Sequence, residues 1–457
     1  MISSHTTGPV GADQPTPRKE WLHRPWLLWS IVGLGLLIGA IRLWQNPPSM
    51  ADDQTDNWWP VSLSVADGQG YVQCLPDYFP FCGPGNDATA MREPLPIYFF
   101  AAVASILRSL EVAGLVQLFL QLLIIVVIHG MARELAGERT ALIAAAIWAV
   151  YLPGLLVIPE IAGDVLATLT ATLGFWFYLR AWRTEKPADW ALAGAFMGLA
   201  VLSRSAVLVT TVPLFLALLW KVHRLDLGLK LKLGSVLAFV LALSFTLLPW
   251  AVRNEMVFHS PVIGSTLTGY NILRQNHQLP TNDPYRFINH TETVPVIHAA
   301  LARHPELTGH ENEAQVDRIY KTEGLAVIKA NKMRYLLLCT YRFLPLWFNW
   351  GVYAAYGRSA GMFDYLMGTQ QLALLVLALI GLWSAPKRGW LLAFCVAVFC
   401  LAHMAIIARL RYVIPVMPVV ILFAAIAIDR FWSWIVRADR TGPADNGSSK
   451  QHFGILQ

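Results

Sequence analysis

The sequence predicts an all-α polytopic membrane protein of about ten transmembrane helices, with interfacial helices and a small extracytoplasmic α-rich insertion. Three observations predict it. Of the 457 residues, 56% are hydrophobic and only 14% are charged, against roughly 25% charge in a soluble domain. Apolar runs of about 17–25 residues recur along the chain, each long enough to cross the hydrocarbon of a bilayer. Short Lys/Arg clusters separate these runs, where orientation signals belong. The same clusters carry the net charge of +6, which is therefore no sign of nucleic-acid binding.

The first span is expected over residues 25–43, after a polar 1–24 tail with Arg18, Lys19 and Arg24. That charge favours a cytoplasmic N-terminus, and no cleavable signal peptide is expected. Residues 45–111 hold no clean span; Pro94–Leu107 is apolar but short and reads as an interfacial or re-entrant helix. Spans follow at about 112–132, 140–158 and 164–182. Residues 190–221 exceed one span and are interrupted at Ser203-Arg204-Ser205, so two short spans meet at Arg204. The seventh span covers about 233–252, and the catalytic membrane core is expected over 25–252.

Residues 253–360 form the longest polar insertion, with helical periodicity at Val316, Ile319, Tyr320 and Val327. Spans at 363–385, 389–408 and 411–433 complete a C-terminal membrane segment, 361–433, before a cytoplasmic tail at 434–457. Ten spans put every basic cluster on the cytoplasmic side and place 45–111 and 253–360 together outside. A span at Tyr335–Trp350 would reverse Lys387-Arg388 and the C-terminal arginines, so this stretch is expected along the interface. The predicted setting is the inner (plasma) membrane, with both termini cytoplasmic.

Cys339, Cys395 and Cys400 lie in apolar stretches and read as packing residues. Cys74 and Cys82 bracket a Pro-rich interval in an outer loop, where a disulfide is expected. No His stands close by, which argues against zinc.

Charged residues gather at the outer mouths. Asp52, Asp53 and Asp56 follow the first span, and Arg92-Glu93 precede the interfacial helix. Glu160 and Asp164 lie between spans three and four, and Arg204 lies between five and six. Arg253 and Asn254 follow the seventh span; Arg409 and Arg411 precede the tenth. Each alone reads as an ordinary helix-end charge. Together they supply what transfer from a lipid phosphate needs: a carboxylate to take an acceptor proton, and arginines to hold the departing phosphate. His259, His277, His304 and His310 read as surface residues, and His129 and His403 as interhelical hydrogen-bonding groups.

At these residues the chain resembles the C-type membrane glycosyltransferases, in the bacterial branch similar to protein O-mannosyltransferases and the lipid A aminoarabinose transferase. The resemblance runs through Asp52-Asp53-Gln-Thr-Asp56, Ser64–Tyr71, Arg92-Glu-Pro-Leu-Pro96, Pro159-Glu160 and Gly198–Arg204. It continues through Pro249-Trp-Ala-Val-Arg-Asn254, Gly269-Tyr-Asn271, Gln275-Asn276, the amphipathic run Tyr320–Trp347 and Arg409–Pro415. Trp58-Trp59 stands where the family places a further acid or Tyr, which leaves the choice among the aspartates open.

The resemblance implies an enzyme that moves a hexosyl or pentosyl group from a polyprenyl-phosphate-linked sugar by one inverting displacement. Asp53, then Asp56, then Asp52 is the expected base. Glu160 is a candidate second acid or metal-positioning group; the resemblance fixes no cofactor and leaves a divalent metal open. Arg92 and Arg204 are expected on the phosphate, with Arg253, Arg409 and Arg411 assisting. Expected partners are the lipid-linked donor, membrane lipids and a protein, lipid or glycan acceptor, with no nucleic acid. A transporter or flippase of lipid-linked sugars is the alternative; it predicts inverted repeats and charge inside the bundle, and neither is evident.

Overall fold

The computed structural model describes residues 25–49, 58–224 and 229–438. Among them there is no β-strand; one isolated bridge joins Val72 and Ala88. The all-α expectation is borne out. In chain order the principal helices begin with α1 (Pro25–Gln45), α2 (Trp58–Ala66), α3 (Pro94–Ile106), α4 (Leu110–Ala136) and α5 (Glu138–Ala149). Next come α6 (Asp164–Thr184), α7 (Pro187–Ser203), α8 (Leu208–Arg224), α9 (Leu229–Phe258) and α10 (Thr268–Asn276). Then follow α11 (Val294–Leu301), α12 (Glu313–Ala330), α13 (Lys332–Tyr341) and α14 (Phe343–Phe348). The last three are α15 (Met362–Ser384), α16 (Gly389–Ile406) and α17 (Met417–Ala438).

Helices stand at all ten expected spans, and seven are long and apolar enough to cross a membrane. The other three, α5, α6 and α7, are shorter or carry more polar residues, and they sit inside the bundle. α6 buries Thr168, Thr170 and Thr172, whose hydroxyls donate to carbonyls one turn back. A helix covered by protein needs less apolar surface than one facing lipid. The third expected span is corrected at its C-terminal end: α5 stops at Ala149, and Pro153 starts a separate short turn, Leu152–Leu156. The seventh extends further than expected, through Pro249 to Phe258.

The segment Leu410–Val436, most of which is α17, is the central staff, with 83% of its apolar window buried against 17% for α1. Its approach to α15 is backbone to backbone, because a Cβ on Gly381 would lie 1.8 Å from the Phe423 carbonyl oxygen. Gly194 allows the same approach of α7 to α9, where the Phe239 oxygen would be 2.2 Å away. Small residues at such crossings are how membrane helices gain contact when lipid is as apolar as their side chains.

The insertion is a cap of short helices, and Tyr335–Trp350 divides into α13 and α14, neither long enough to span. Their junction carries the buried Arg342, which donates to the Met404 and Ala405 carbonyls (3.1 and 3.0 Å) and to Asn276 Oδ1 (3.0 Å). A cation at the last carbonyls of α16 satisfies orphan acceptors and suits the helix dipole. α12 begins with a capping box of Asn312 and Gln315. Glu313, in its first turn, accepts from Thr89 Oγ1 (2.7 Å), the Ala90 N–H (2.8 Å) and Thr266 Oγ1 (2.7 Å). One turn on, Asp317 accepts from the N–H groups of Gly269 (2.9 Å) and Tyr270 (2.8 Å). These two acids fasten α12 to the loop between α2 and α3 and to α10. The Cys74–Cys82 disulfide, as expected, closes a turn of that same loop.

Burial raises the Glu313 carboxyl above its ordinary range and raises Asp317 to about 7, although hydrogen bonds oppose both shifts. The native state therefore keeps a proton on Asp317 that the unfolded chain releases near pH 4. The stability linked to that proton is complete below pH 4 and is lost as pH rises through 7. The thermal midpoint is expected to fall between pH 5 and 8, with a smaller fall in Asp317→Asn. Parallel pH profiles for the two proteins would contradict this assignment.

Candidate active site

Four separate elements converge at one end of the bundle. Asp164 opens α6, is 1% exposed, and follows Gly163, whose missing Cβ lets the chain touch the Ser203 carbonyl at the end of α7. That contact brings Asp164 beside Arg204, where α7 stops in extended backbone. The two side chains form an ion pair. Arg411, on the 3-10 turn Leu410–Tyr412 after α16, pairs with the other Asp164 oxygen (3.2 Å) and with Glu160 (3.4 Å). One buried carboxylate thus pairs with two guanidiniums, and one of these, Arg411, also pairs with a second carboxylate. Arg204 also lies 4.3 Å from the Tyr412 ring centroid, a cation–π distance.

The break between α7 and α8 is stitched by Glu93, the residue before α3. Its Oε1 accepts from the Ser205 N–H (2.9 Å) and Ser205 Oγ (2.8 Å). An acid at a helix start satisfies an orphan N–H and meets the positive end of the dipole. Arg92 beside it has its guanidinium 5.8 Å from the Trp58 ring centroid, and its carbonyl accepts from Tyr71 Oη (2.9 Å).

These residues enclose a cleft of about 140 Å³. Its wall includes Trp58, Arg92, Glu93, Arg204, Arg411 and His403. The His403 Nδ1 lies 3.1 Å from the Phe399 carbonyl oxygen, a bond in which the ring nitrogen must be the donor. Of the residues singled out from the sequence, Arg92, Arg204 and Arg411 therefore share one wall, with Glu160 behind Arg411.

Arg253 and Arg409 are not in that wall. Arg253 donates to the carbonyls of Thr89 (2.9 Å) and Tyr71 (3.2 Å) and lies 5.0–5.4 Å from the ring centroids of Trp250, Phe258 and Tyr71. The rest of the Pro-Trp-x-x-Arg-Asn stretch is also committed to backbone: Trp250 Nε1 donates to Gly264 (3.0 Å) and Asn254 Nδ2 to Val262 (2.7 Å). Arg409 lies near the Phe287 and Tyr356 rings, 5.8 and 5.5 Å from their centroids. Asp52, Asp53 and Asp56 lie outside the described residues; Trp58, in the cleft wall, is the first described residue after them. Among the described residues no group of three His, Cys, Asp or Glu side chains could hold a metal ion.

Asp164 and His403 are the residues whose place the sequence did not convey. Asp164 stood out as a mouth charge, but not as the centre of the network. His403 carried no signal beyond being a polar residue in a span.

The bundle of helices carries an arginine-walled cleft at one mouth, and the comparisons bear out the resemblance to C-type membrane glycosyltransferases seen in the sequence. Residues 91–250 match the family model described as dolichyl-phosphate-mannose-protein mannosyltransferase. No curated protein matches the chain in sequence. The Archaeoglobus fulgidus oligosaccharyltransferase tethered to an acceptor peptide has a similar fold, with TM-score 0.55 and 16% identity over 95% of this chain and 53% of that one. The archaeal oligosaccharyltransferase of that organism with an inhibitory peptide and a dolichol-phosphate gives TM-score 0.53 and 14% identity over 94% and 53%. The chain spans about half the length of these structures.

Removing the central carboxylate leaves two arginines facing each other. Asp164→Asn is expected to cost about 3 kcal/mol of stability, read as a lower thermal midpoint in detergent. Adding Arg204→Gln is expected to recover part of that loss. A double variant that loses the full sum of both single effects would show that the pair does not act as a unit.

Proposed function

We propose that this protein transfers a sugar from a polyprenyl-phosphate-linked donor to an acceptor at the outer face of the membrane, by inverting displacement. The observation that carries the reading is the cleft wall of Arg92, Arg204 and Arg411 organised around Asp164. The match over 91–250 supports it, because Arg92, Glu160, Asp164 and Arg204 all fall inside. In this reading, a carboxylate of the 52–56 segment, Asp53 first, takes the proton from an acceptor hydroxyl or amine. The acceptor atom bonds to the anomeric carbon as the bond from that carbon to the phosphate oxygen breaks. The electron pair leaves with the polyprenyl phosphate, received by the three guanidiniums, whose planar forks stay charged and donate in pairs.

Arg253 and Arg409 hold the surroundings of the cleft. Glu160 sets the position of Arg411, and a divalent metal would need the aspartates of residues 52–56. The ten helices and the basic clusters support cytoplasmic termini and an outer site in an inner (plasma) membrane.

The purified chain, incubated with a polyprenyl-phosphate sugar and a membrane extract as acceptor source, is expected to release free polyprenyl phosphate. A transporter would leave the donor intact. Asp53→Asn is expected to lower release by about 100-fold or more, and Arg204→Gln to lower it as well. Full activity in single Asn variants of Asp52, Asp53 and Asp56 would sink the mechanism.

A further inference from the structure

The opposite end of the bundle carries a second recess, of about 330 Å³. It lies where the C-terminal ends of α6 and α8 meet the start of α16. The 18 residues of α16 separate it from the cleft, about 27 Å at 1.5 Å per residue, so the two sites do not overlap. Its inner wall is apolar, built from Leu179, Leu391 and Leu392, and Trp182 and Trp220 stand beside them. Lys387 and Arg388 line it as well.

Among the described residues the charge around it is unbalanced. Lys221 stacks 5.1 Å from the Trp182 ring centroid and is neutralised by Glu185 at 2.9 Å. Arg224 lies 5.6 Å from the Trp220 ring centroid, and Arg388 donates to the Glu134 carbonyl (2.6 Å). Glu134 itself pairs with Arg183 at 2.5 Å. Arg224, Lys387 and Arg388 have no carboxylate partner among the described residues.

We infer that this recess binds an anionic phospholipid, with an acyl chain against Leu179, Leu391 and Leu392 and the headgroup phosphate at Lys387 and Arg388. The apolar wall alone would accept any lipid tail, and the cations alone would accept any soluble anion. Their juxtaposition at a helix-bundle mouth, with two tryptophans at the boundary, fits a molecule that is apolar at one end and anionic at the other. A free phosphate would leave the apolar wall unfilled. The basic residues also put this mouth on the cytoplasmic side of the proposed topology, where anionic lipids exert their surface potential.

Native mass spectrometry of the full chain in detergent, with equal amounts of dioleoylphosphatidylglycerol and dioleoylphosphatidylcholine, tests the inference without reading sugar transfer. Phosphatidylglycerol is expected to be retained preferentially. Lys387→Gln is expected to lower that preference about fivefold. Leu391→Trp, which fills the recess and keeps the cations, is expected to reduce occupancy by both lipids. Equal retention of the two lipids, an unchanged preference in Lys387→Gln, or displacement of phosphatidylglycerol by excess inorganic phosphate would each overturn it.

Discussion

The buried carboxylate of Asp164 is the point on which the candidate site depends. Two guanidiniums from distant parts of the chain, Arg204 and Arg411, are drawn to one residue that is 1% exposed. Without it, two like charges would share a cleft of low dielectric, where repulsion is weakly screened. With it, three helix termini that each leave unsatisfied backbone groups are fixed relative to one another. Glu93 does the same for a fourth terminus, through Ser205. The cleft is therefore an assembly of helix ends, which is where backbone polarity and side-chain charge are both tolerated at the edge of a bilayer.

The cap of short helices is fastened by the same logic with different groups. Glu313 and Asp317 lie one turn apart on α12 and accept from the loop between α2 and α3, the 266 segment and α10. Arg253 reaches the same loop from the end of α9 through two carbonyls. Arg342 ties the base of the cap to the last turn of α16. The cap thus holds in place the turn that carries Arg411. Charge in this protein serves architecture, and Arg253 and Arg409, set against carbonyls and aromatic rings, illustrate it.

The span pattern was legible because hydrocarbon imposes a length and a composition that no soluble context imposes. The break at Arg204 followed from the length of the 190–221 run and its polar interruption, and the short helices of Tyr335–Trp350 followed from charge placement. The disulfide was legible from two cysteines around a Pro-rich turn. The third span was read too long, because the apolar run continues through Pro153 while the helix does not. The candidate site was legible as a set of residue types at the helix mouths. Which arginines share a wall was not, because arginines at different mouths look alike in one dimension.

By itself, then, the sequence determined the all-α membrane class, the positions of the apolar helices, the helix break at Arg204 and the pool of charged residues at the helix mouths. These are consequences of local composition and backbone chemistry. Only the tertiary structure decided that Asp164 lies between Arg204 and Arg411, that Arg253 is spent on carbonyls, and that Lys387 and Arg388 border an apolar recess. The physical reason is that pairing energies fall steeply with distance. The distances are set by helix crossings at glycines such as Gly163, Gly194 and Gly381, contacts between segments far apart in the chain.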